Sequence, residues 1–222
     1  MPIRPHSHNI VALAKYLRPA MFNERWLVTN GIIHSGDSIV GDHAVTEGIT
    51  NLKTLGFDLT VMPGRMQLVL REASTHTHAE LAEIANNLLS KIPDPEFTNI
   101  GLNHIWRVEP EADEGWDVAK FSREKLAPVG NLRTIGNNKT LWSATANLDW
   151  EEFQLRVIAS PFRLSLEDFT PDRKVSFDCN FNLTIKDAGD AVSTVLAAVS
   201  RFQDAGEHSY QLATILESDR KS

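Results

Sequence analysis

The segment from Val175 to Ile185 constrains the fold more than any other part of the chain. Val175, Phe177, Cys179, Phe181, Leu183 and Ile185 share one parity, and Ser176, Asp178, Asn180, Asn182 and Thr184 share the other. Side chains alternate across a strand, so a period of two describes a strand with one dry face and one wet face. Parallel strands are usually covered on both sides; a one-sided strand belongs to an antiparallel sheet. Cys179 falls on the apolar side with Phe177 and Phe181, where it behaves as a small hydrophobe and not as a nucleophile.

Other segments extend that sheet. Phe57, Leu59 and Val61 alternate with polar neighbours, as do Met66, Leu68 and Leu70, and Met62-Pro63-Gly64-Arg65 lies between the two runs. Proline presets φ at the first central turn position and glycine accepts a positive φ at the second, which predicts a β-hairpin over Phe57 to Arg71. Further strands are expected at 26–33, 101–108, 141–148 and 153–158. Helices are expected at 77–91 and 187–202. In the first, Leu81, Ile84, Ala85, Leu88 and Leu89 recur at helical spacing, and Thr77 with Glu80 matches a capping box. In the second, Ala188, Ala191, Val192, Val195, Leu196, Val199 and Phe202 form the stripe, Gly206 is the expected stop, and a shorter helix follows over 207–217. Residues 9–17 read as an opening helix stopped by Pro19.

The fold class is therefore α+β: an antiparallel sheet with helices packed on one face. The element order suggests two similar βββα halves, 20–108 and 139–218, joined by an acidic connecting region over 109–138. The expectation is a single domain over 1–222. The surface-to-mass scaling gives a chain of 222 residues about 70% burial of its unfolded surface, enough for one substantial core.

Charge and motifs exclude more than they identify. Lys and Arg total 22 against 29 Asp and Glu, a formal charge of −7, which disfavours a phosphate backbone as partner. The basic cluster Lys120, Arg123, Lys125, Arg133 and Lys139 is diluted by Asp117 and Glu124. A single cysteine rules out an intrachain disulfide. Residues 1–16 lack the apolar core of a signal peptide, and no run approaches the ~20 apolar residues that span a bilayer. The expectation is a cytoplasmic protein that meets no membrane. There is no GxxxxGK[ST], no GxGxxG opening a helix, no HExxH, no GxSxG and no paired-cysteine spacing. Ser122 and Lys125 fit an S-x-x-K spacing whose companion motifs are missing.

One loop stands out. Residues 30–48 carry His34, Asp37, Asp42, His43 and Glu47 among four glycines. Imidazole and carboxylate are suitable donors for a divalent metal. The plainer interpretation is a polar exposed connection, long for one without structure of its own. His76 and His78 flank the helix start as solvent-facing residues, with an anion or a metal held together with a third ligand as the alternative, and His104 sits on an apolar strand face as a core histidine. Clean fold signals without a catalytic signature point to a non-enzymatic protein-binding or assembly protein, an adaptor, chaperone-like or structural subunit. It would act as a homo-oligomer, using a polar sheet face or an exposed sheet edge. The alternative is a metal-dependent hydrolase with His34, Asp37, Asp42 and His43 around a divalent metal.

Overall fold

The computed structural model describes residues 3–34, 39–41, 43–71, 77–108, 122–126, 142–161 and 175–218. Nine strands form one antiparallel sheet: β1 (Ile3–Ala14), β2 (Ala44–Val45), β3 (Thr50–Lys53), β4 (Phe57–Met62), β5 (Arg65–Leu70), β6 (Phe97–Val108), β7 (Ala144–Trp150), β8 (Phe153–Pro161) and β9 (Val175–Thr184). Their order across the sheet is β2-β3-β4-β5-β1-β6-β9-β8-β7. The described helices are α1 (Glu24–Thr29), α2 (His78–Ser90), α3 (Ala191–Ser200) and α4 (Phe202–Ser218), with a 3-10 turn at Pro19–Met21 and a π-helical turn at Ser122–Leu126.

Compact packing divides the chain into two units. Unit one comprises Met1–His6, His104–Asn180 and His208–Ser222; unit two comprises Ser7–Asn103 and Phe181–Glu207.

In unit two the registers stack buried side chains in rows. Leu52 faces Leu59, Leu59 faces Leu68, and Leu68 faces Ile10, so one apolar row crosses β3, β4, β5 and β1. Each of the four is almost fully buried. The hairpin β4–β5 turns at Pro63–Gly64, where Gly64 has φ +82°, as the Pro-Gly pair requires. A Cβ there would also sit 3.4 Å from the carbonyl oxygen of Ala14. Helix α2 begins with the expected capping box: Thr77 Oγ1 accepts from the Glu80 N–H and Glu80 Oε2 accepts from the Thr77 N–H. It packs on β5 and α3 through Leu81, Ala85 and Leu88, and Asn86 Nδ2 donates to Ser200 Oγ at 3.1 Å.

Unit one contains β7, β8 and the unit's parts of β1, β6, β9 and α4. Phe153, Leu155 and Val157 supply buried residues along β8, and Phe177 and Cys179 along β9. Trp106 Nε1 donates to Ser209 Oγ at 2.8 Å, and its ring meets Tyr210 edge to face at 5.2 Å. Burial pushes the Cys179 thiol up to about 12, with the Asp178 charge adding to the shift, so the sulfur stays protonated near neutrality.

Three expected elements are corrected. Residues 9–17 are not a helix: Ile3–Ala14 is strand β1. It lies inside the sheet between β5 and β6, and its segment Ile10–Ala14 is an apolar run that periodicity alone cannot separate from a helix. The strand expected at 26–33 is instead helix α1, whose N-cap Asn23 accepts from the Trp26 N–H at 3.0 Å. Gly206 does not stop a helix; it is buried within α4, and the break falls at Arg201, between α3 and α4. The region 109–138 lies almost wholly outside the described residues.

Candidate functional site

Unit two holds a cavity of about 400 Å³ whose walls come from three places in the sequence. Gly31, Ile32, Ile33 and His34 leave the end of α1. Thr54, Leu55, Gly56 and Phe57 form the β3–β4 turn. Glu80, Glu83, Ile84 and Asn87 come from α2. The local sequence fixes each wall. Gly31 adopts φ +68°, which turns the chain out of α1. Thr54 Oγ1 donates to the Phe57 carbonyl at 2.8 Å and accepts from the N–H groups of Gly56 and Phe57, locking the turn. Arg71 braces it from outside, donating to the Thr54 carbonyl at 2.7 Å while its guanidinium lies 3.7 Å from Asp58. Buried Ile32, Ile33 and Phe57 give the cavity apolar surface, and His34, Glu80, Glu83 and Asn87 give it polar groups.

Of the loop residues singled out in the sequence, His34 lines this cavity. His43 is exposed and is not among the lining residues. Asp37 and Asp42 lie outside the described residues. The carboxylates that accompany His34 are therefore Glu80 and Glu83, one helical turn apart by their three-residue spacing on α2. Their role was hidden because Glu80 already had an explanation as a cap.

A second cluster in unit two joins His78 to a residue that the sequence did not single out. His78, the first residue of α2, is half-buried where a solvent-facing residue was expected: its ring meets His8 of β1 at a centroid distance of 4.4 Å and an interplanar angle of 64°. Phe202 contacts the same imidazole at 5.4 Å. Burial lowers the His78 pKa below its ordinary value, and the nearby Glu207 charge partly opposes that. A ring nitrogen of His8 and one of His78 lie within 4.8 Å of each other, spacing from which two imidazoles can converge on a metal. His76 lies outside the described residues, and His104 is fully buried on β6, as a core position should be.

In unit one the feature of interest is an edge. β7 is the outermost described strand on its side of the sheet. It pairs with β8 so that Ala146 faces Val157, Leu148 faces Leu155 and Trp150 faces Phe153. Opposite residues share a face, yet Leu155 is 1% exposed and Leu148 is 45% exposed. Trp150 is half-buried, stacked on His208 at 5.6 Å and tilted by 20°. The apolar side of β7 is thus covered at its Trp150 end and open along Ala146 and Leu148. No helix among the described residues is long and apolar enough to cross a membrane.

No protein-family model matches the chain, and no curated protein matches it.

Proposed function

We propose that this is a non-enzymatic assembly protein that pairs its β7 edge with the β7 edge of a second copy. The observation that carries the reading is the exposure of Leu148 beside fully buried Leu155 on the same face. Proteins usually blunt a sheet edge with lysine, proline or a bulge. Ala144–Trp150 contains no Lys, Arg or Pro, and its one charge is Asp149. The segment is also self-complementary. Two antiparallel copies centred on Asn147 set Ala146 opposite Leu148 on the apolar side and Thr145 opposite Asp149 on the polar side. A symmetric pair of this kind is isologous and closes, which suits a dimer better than a fibre. The expected first half loses its opening strand, because 26–33 is helical; with β3 in that place, the order β3-β4-β5-α2 and β7-β8-β9-α3 supports a related reading of two halves of three strands and a helix.

Light scattering of the full chain tests the assembly. The expected species is a dimer, and Leu148→Lys, which places a charge on the pairing face, weakens it at least tenfold, by about 1.4 kcal/mol or more. Because Leu148 is exposed, the monomer keeps its fold. A wild-type monomer at micromolar concentration, or a Leu148→Lys dimer of unchanged affinity, overturns the reading.

A second reading, the metal-dependent hydrolase, keeps one of its four residues at a cavity, His34, although the donor atoms of His34, Glu80 and Glu83 are not gathered within metal-binding distance. Elemental analysis of purified protein separates it from the first. Stoichiometric metal that disappears in His34→Ala supports the hydrolase, and metal-free protein removes it.

A further inference from the structure

We propose that His8 and His78 ligate a divalent transition metal ion, zinc by preference, in unit two. The site is distinct from the His34 loop and from the β7 edge. Both residues occupy positions that the surrounding pattern reserves for apolar side chains. His8 shares a strand face with Ile10, Ala12 and Ala14, all buried, and is itself 4% exposed. His78 opens the helix whose inner stripe is Leu81, Ala85 and Leu88.

The chemistry of the donors fits a borderline metal. Neutral imidazole is a preferred ligand for zinc, copper, nickel and iron, and a metal competes with the proton for the same lone pair. Zinc–nitrogen bonds of about 2.0–2.1 Å at a tetrahedral angle set two nitrogens about 3.4 Å apart. Closing from no more than 4.8 Å needs only modest side-chain rotation. The surroundings favour one orientation of His78: Phe202 packs edge to face on its ring, and Glu207 supplies a carboxylate charge nearby. Carboxylates beside metal-bound histidines commonly hold the other ring N–H and raise ligand basicity. Water or further donors complete the four-coordinate shell.

Cobalt titration of the full, untagged, chelator-treated chain tests the proposal through the visible d–d absorption of Co²⁺, followed by displacement with Zn²⁺. The expected result is one equivalent bound and displaced. His78→Gln and His8→Asn each weaken binding at least tenfold, while His34→Ala and His43→Ala leave the titration unchanged. If His8→Asn does not fold, the wild-type protein still decides: bound Co²⁺ broadens the ring resonances of His8 and His78 selectively. Absence of stoichiometric binding overturns the proposal. So does wild-type affinity in His78→Gln, or loss of binding in His34→Ala with His78→Gln unaffected, which would assign the metal to the loop instead.

Discussion

Phe181→Ala lowers the free energy of unfolding by about 3–5 kcal/mol, among the largest losses open to a single truncation in this chain. Phe181 is fully buried on the apolar parity of β9. Two contributions add. Removing the phenyl group forfeits the transfer free energy of its atoms. The void that remains then forfeits dispersion contacts, because close-packed neighbours relax only partly. For a chain of this size each kcal/mol moves the melting temperature by about 2–4 °C, so a fall of about 6–20 °C is expected in thermal denaturation. Gln154→Ala, exposed on β8, is the matched control and stays within about 0.5 kcal/mol of wild type. Equal shifts for the two variants would show that the alternation in β9 does not separate a core face from a solvent face.

What was legible in the sequence follows from the physics of each segment. The alternation over Val175 to Ile185 could be read because β9 has one dry face, and period two is visible only when the faces differ. The capping box at Thr77 and Glu80 and the Pro63–Gly64 turn were equally open to reading, because a few adjacent residues satisfy their own backbone. β1 failed for the opposite reason. Its segment Ile10–Ala14 is an unbroken apolar run, and such a run carries no period. α1 is six residues long, too short for a helical stripe to repeat, and its real signal was the cap at Asn23. These errors propagated to the sites. With β1 taken as a helix, His8 had no sheet face, so its meeting with His78 some seventy positions away could not be foreseen. Of the loop residues singled out, His34 lines a cavity, and the carboxylates that share it come from α2. Long-range pairing, and not local propensity, decides which side chains converge.

Val195→Asp on α3 is expected to do more damage than the loss of Phe181, costing on the order of 5 kcal/mol and leaving little soluble folded protein. Val195 is fully buried, on the stripe shared by Ala191, Ala198 and Val199, and α3 packs against α2. A carboxylate placed in that seam has three outcomes. It can ionise without a partner, take up a proton at the cost of a raised pKa, or drag the helix off its neighbour. Each consumes a large share of the 5–15 kcal/mol that typically holds a domain together. The same substitution two residues earlier reverses the outcome. Ser193 is exposed and sits in the first turn of α3, which carries no acidic residue, so an aspartate there meets the positive end of the helix dipole. Ser193→Asp is therefore expected within about 0.5 kcal/mol of wild type by urea denaturation. Identical side chains at 193 and 195 with opposite consequences isolate burial from helix propensity, since both positions lie in one short helix. A Val195→Asp protein that melts within a few degrees of wild type would mean that α3 does not pack through this stripe. The α2–α3 seam, and with it the anchoring of the helix that carries His78, would then need a different explanation.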